Sequence, residues 1–108
     1  MNRFDLKWIR GDTYVYNIIA DQDITGWKVF FTVKDLDDNT SNDNYALIKK
    51  QVVASGNSAT INVMKEDTNG LVEDSYKYDI QLVSPDGNTV KTVIFGNISI
   101  IDDVTKEV

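Results

Sequence analysis

The residues of this 108-residue chain with the most evident capacity for chemistry are its carboxylates. Asp21 with Asp23, and Glu73 with Asp74, are spaced closely enough to act as an acid and a base, the arrangement that cleaves glycosidic bonds. With 17 acidic residues, however, neighbouring carboxylates arise by chance, and no adjacent feature marks a cleft that would raise one pKa. The pairs read as surface. Neither histidine nor cysteine occurs, which removes Ser-His and Cys-His nucleophiles, imidazole and thiolate metal sites, disulfides and iron–sulfur clusters. The composition predicts a protein that is not an enzyme, with no catalytic residues and no cofactor.

A second candidate is the acidic stretch Asp35 to Asn44, whose oxygen side chains at alternate positions resemble the start of a calcium loop. A twelve-residue EF-hand loop beginning at Asp35 needs glycine at its sixth position and glutamate at its twelfth, where this chain has Thr40 and Ala46. Seven of the ten residues are Asp or Asn, types that favour turns over ladders, so the expectation is a mobile, solvated, metal-free loop.

Aromatic residues are the third candidate. Trp8, Trp27 and five tyrosines could stack on sugar rings, but Trp27 is in phase with Val29, Phe31 and Val33, and Tyr76 and Tyr78 with Ile80 and Leu82, so burial accounts for them. Phe30 and Phe95 fall on the opposite, outward phases of their segments. An outward aromatic is a pointer to a protein–protein contact, and these two form the candidate interaction surface. Arg10-Gly11-Asp12 spells an integrin-type tripeptide where the chain needs a turn, and is read as a turn.

The elements that would carry these residues are strands. Period two dominates, with Trp27, Val29, Phe31 and Val33, then Ala59, Ile61 and Val63, then Tyr76, Tyr78, Ile80 and Leu82 entering a core. Phe4 to Ile9, Thr13 to Ala20, Leu47 to Ala54 and Thr89 to Ile101 complete seven strands, the last long enough to bend at Gly96. Ser84-Pro85-Asp86-Gly87-Asn88 is the strongest hairpin signal and makes its flanking strands antiparallel neighbours. Lys65 to Val72 lacks alternation and reads as one helical turn or a wide loop. Short loops between strands favour an all-β, antiparallel, immunoglobulin-like sandwich of about seven strands over βαβ units. No linker divides residues 1–108, and one domain of 12.2 kDa is expected.

Partner classes narrow in the same way. Eleven basic against 17 acidic residues give a net charge of −6, which repels phosphate backbones and argues against nucleic acid. No apolar run approaches the roughly 20 residues of a membrane helix, and the first residues lack a signal-peptide core, so neither a membrane nor export by a cleaved signal is expected.

The order of short motifs resembles a known family. Arg10-Gly11-Asp12-Thr13, Asp23-Ile24-Thr25-Gly26-Trp27 before Val29 to Lys34, and Ala46-Leu47-Ile48-Lys49-Lys50 are followed by Glu66-Asp67-Thr68 and Tyr76 to Leu82. Ser84-Pro85-Asp86-Gly87 and Gly96 to Asp103-Val104-Thr105 close the series, which covers about Arg10 to Thr105. This pattern is similar to the N-terminal domain of tailed-bacteriophage baseplate upper proteins and to short virion proteins built from that domain alone, although Ser75 stands where the family often has glycine. The resemblance implies a non-enzymatic immunoglobulin-like module in a virion, made in the host cytoplasm, at a baseplate, tail or head-decoration position. Its partners would be other virion proteins or a second copy of itself. The alternative expectation is a carbohydrate-binding module that meets host-surface glycans.

Overall fold

The computed structural model describes Asn2 to Asp102; Met1 and residues 103–108, including the Asp103-Val104-Thr105 end of the family motif, lie outside the described residues. The elements are β1 (Asn2–Arg3), β2 (Leu6–Ile9), β3 (Tyr14–Ile19), β4 (Lys28–Asp35), β5 (Ile48–Val53), β6 (Ser58–Val63), α1 (Lys65–Asn69), β7 (Ser75–Val83) and β8 (Val90–Ile101). They form an all-β sandwich. The larger sheet has the order β1-β8-β7-β4-β5, with β2 also on β8, and it faces a two-stranded sheet of β3 and β6. The first strands and the last lie side by side in the larger sheet.

The alternation of apolar residues places the core between the sheets. Val29, Phe31 and Val33 of β4 and Tyr76, Tyr78, Ile80 and Leu82 of β7 meet Ile18 of β3 and Ala59, Ile61 and Val63 of β6. Trp27 does not join the fully buried set as its phase suggested. It precedes the ladder, closing a turn through its N–H to the Ile24 carbonyl at 2.9 Å, and is half-buried at the margin of the core. Trp8 is the tryptophan at the centre, with 0% of its surface exposed.

Two expectations about the strands are corrected. The sandwich is not wholly antiparallel, because β1 and β2 run parallel to β8, with Arg3 opposite Phe95 and Trp8 opposite Ile100. A parallel pair needs a long connection, and here almost the whole chain supplies it, which alternation within a segment cannot reveal. Among the described residues there are also eight strands rather than seven, because the first is broken at Phe4 and Asp5 while both halves keep one register on β8.

Gly96 explains the break. A Cβ there would lie 2.3 Å from the Phe4 carbonyl oxygen, so only glycine lets the first strand cross so closely. The Asn97 N–H then bonds to Asp5 Oδ1 at 2.9 Å, a side chain standing in for a ladder carbonyl. The irregularity of β8 falls instead beside Ile80 and Gln81, where the register on β7 shifts by a bulge.

The predicted turns form as chemistry requires. Gly87 has φ +79° and donates its N–H to the Ser84 carbonyl at 2.9 Å, while Ser84 Oγ donates to Asp86 Oδ1 at 2.6 Å. Arg10-Gly11-Asp12 is a turn with Gly11 at φ +87°, fastened by the fully buried Thr68 of α1, whose hydroxyl accepts the Gly11 N–H at 2.9 Å.

Candidate functional site

The outer face of the larger sheet is where the candidate aromatics lie. On β4 the outward residues are Phe30, Thr32 and Lys34; on β7 they are Lys77, Asp79 and Gln81; on β8 they are Phe95 and Asn97. Phe30 stands opposite Gln81, and Phe95 opposite Asp79, so the two rings flank β7 on a diagonal. Neither ring is bare. Lys49 Nζ lies 5.7 Å from the Phe30 centroid and the Arg3 guanidinium 5.9 Å from that of Phe95, both within cation–π reach, and both phenylalanines are half-buried.

The Asp35–Asn44 loop curls onto this face. Three lysines tie it down: Lys34 Nζ donates to the Asn42 carbonyl at 2.9 Å and pairs with Asp43 at 2.9 Å, Lys49 pairs with the other Asp43 oxygen, and Lys77 Nζ donates to the Asp38 carbonyl. Hydrogen bonds from Lys49 and Lys34 hold the Asp43 carboxyl below its ordinary range, and the Asp43 contact raises Lys34. Asp38 is also lowered, chiefly by the Thr40 hydroxyl and N–H on its Oδ1. The loop and sheet enclose a concavity of about 590 Å³ floored by Thr32, Asp79 and Gln81 and walled by Phe95, Asn97 and Asn39.

Asp79 is the distinctive group on that floor. Burial raises its pKa, a hydrogen bond from Gln81 Nε2 at 3.3 Å works against that, and the charge of Asp43 adds to the rise. The charge of Lys34 also works against the rise.

The other sequence candidates are taken up by local structure. Asp23 Oδ1 accepts the Thr25 N–H at 3.0 Å and the Thr25 hydroxyl at 2.6 Å, which lowers its pKa, the opposite of what a general acid needs. Glu73 and Asp74 diverge, since Glu73 Oε2 accepts the Asp102 N–H at 3.1 Å and Asp74 Oδ1 accepts the Ser75 N–H at 2.8 Å. Among the described residues no group of three or more acidic side chains is placed to hold a metal ion, and no helix is long and apolar enough to cross a membrane.

Sequence reasoning missed the most exposed apolar residues of the strands. Val15 and Ile19 of β3 are 64% and 73% exposed on the outside of the small sheet. The signal was present, because Tyr14-Val15-Tyr16-Asn17-Ile18-Ile19 is apolar on both phases, and such a strand ordinarily has both faces covered.

No protein-family model matches this chain, and no curated protein matches it. What its architecture defines is the class, an all-β sandwich with an open, loop-flanked sheet face.

Proposed function

We propose that this protein is a non-enzymatic structural module of a tailed-phage particle that works by docking the outer face of its larger sheet onto another virion protein. The observation that carries the docking reading is the pairing of Phe30 with Lys49 and of Phe95 with Arg3 around Asp79. Aromatic rings with cations beside them and a half-buried carboxylate between them make a surface of anchors and specific polar contacts, the composition of protein interfaces. The same pairing counts against glycan binding, since the cations occupy ring faces on which a pyranose would stack. The phage setting rests on the ordered motifs from Arg10 to Thr105.

Mass spectrometry of purified particles tests the setting, and incorporation of a Phe30→Ser/Phe95→Ser variant tests the face. Presence of the parent chain with loss of the variant is the expected result. Absence of the parent from particles, together with retention of a glycan ligand that Phe95→Ser abolishes, replaces this reading with carbohydrate binding.

A further inference from the structure

The small sheet differs from the larger one in charge. Neither β3 nor β6 contains any of the chain's 11 basic and 17 acidic residues, whereas each strand of the larger sheet carries at least one: Arg3, Lys7, Lys28, Lys49, Lys77 and Lys91 are examples from the six. Natural sandwiches blunt their edges with lysine, proline or bulges. β3 has none of these.

The direction of its free backbone follows from its register on β6. Tyr14 pairs with Val63 and Ile19 with Ser58, and beyond the strand the Ala20 N–H bonds to the Asn57 carbonyl at 2.8 Å. Hydrogen-bonded pairs alternate along an antiparallel ladder, so Ile18, Tyr16 and Tyr14 also point their peptide groups at β6. Val15, Asn17 and Ile19 therefore turn theirs to the open edge, where among the described residues no strand pairs with them. These are the residues whose side chains lie on the outer face.

We infer that β3 pairs edge to edge with the β3 of a second copy of this chain, antiparallel about a two-fold axis at Asn17, to give a continuous sheet β6-β3-β3-β6. In that register Val15 lies opposite Ile19 of the other copy and Asn17 opposite its own equivalent, so every free N–H and C=O of the three residues finds a partner. Both exposed apolar side chains gain an apolar cross-strand neighbour by one operation, and the contact closes on itself as a dimer rather than a fibre. The register selects the occupant: about Asn17 the strand is complementary to itself, Val15 meeting Ile19, and within β3 no two like charges are brought together, the nearest acids, Asp12 and Asp21, lying beyond its ends. On the far edge of β6 Ser58 already bridges Ser55, and the outward residues left along it among the described residues are Thr60 and Asn62, so pairing there would join no large apolar side chains. The inference goes beyond the docking reading and is independent of it, since a β3 dimer leaves Phe30 and Phe95 open.

Light scattering and sedimentation of the full chain over a concentration series up to about 1 mM, the range in which weak edge contacts associate, provide the test. The expected result is a mass rising from 12.2 kDa toward twice that value. Ile19→Glu, which puts two carboxylates into the contact, should return the mass to that of one chain with the circular dichroism of the parent. Val15→Lys/Ile19→Glu in one chain sets each introduced ammonium opposite the introduced carboxylate of the other copy and should restore the dimer. Should Ile19→Glu fail to fold, Val15→Lys alone makes the same disruption from the other end of the strand. A parent that stays at 12.2 kDa throughout, a dimer indifferent to these single variants, or a double variant that stays monomeric each overturns the inference. A parent chain that stays at 12.2 kDa yet is incorporated into particles would remove this inference alone and leave the docking reading standing.

Discussion

The indole N–H of Trp8 donates to the hydroxyl of Tyr16 at 2.7 Å, joining the parallel edge of the larger sheet to the small sheet across the open side of the sandwich. Trp8 also stacks on Tyr14 at 5.5 Å and meets Phe31 at 6.1 Å, so one side chain links the aromatic contacts of both sheets. Burial raises the Tyr16 hydroxyl pKa, and the Trp8 bond partly offsets that.

Trp8→Phe should therefore lose both volume and a hydrogen bond, leaving the half-buried Tyr16 hydroxyl without its donor. The expected cost is about 2 to 4 kcal/mol, less than the roughly 3 to 5 kcal/mol of a tryptophan truncated to alanine. Urea unfolding followed by fluorescence of the remaining Trp27 measures it.

Phe31→Ala should cost roughly 3 to 5 kcal/mol, since it empties a site between Trp8 and Tyr78 at the middle of the core. Phe30→Ala, one residue away on the outer face, should cost much less. A comparison of their melting temperatures checks which phase of β4 is buried.

Gly96→Ala tests the crossing of the first strand. The new methyl meets backbone oxygen at Phe4 rather than a side chain that could swing aside, and the Tyr78 hydroxyl donates to that same oxygen. Overpacking of this kind costs about 1 to 3 kcal/mol, and hydrogen exchange should rise first at Phe4 and Asn97, whose N–H groups hold the crossing.

Two aspartates should respond oppositely to pH. Asp43 is held below the ordinary 3.8, so its lysine contacts stabilise the fold at neutral pH and are lost as pH falls through its folded-state value. Asp79 is raised by burial, so its charge penalises the fold at neutral pH and protonation relieves that penalty as pH falls. Asp43→Asn should lower the melting temperature at pH 7 and have little effect near pH 3, whereas Asp79→Asn should be neutral or stabilising at pH 7. Thermal melts of both variants across that range check the signs.

Alternation along Val29 to Val33 and Tyr76 to Leu82, and the glycines at Gly11 and Gly87, were enough to determine the strands, their buried faces and the hairpin, because each is a property of neighbouring residues. The direction of β1 and β2 along β8 was not local. It depends on a chain returning beside its own start after almost its whole length, which only the assembled core selects. For the same reason sequence showed Phe30 and Phe95 on outward phases but not Lys49 and Arg3 above them, nor the lysines that draw the acidic loop across β7. Those contacts join residues distant in sequence, and charge and packing act through space. The open edge of β3 belongs to the tertiary structure as well, since which residues of an apolar strand lack a neighbour depends on how many strands its sheet contains.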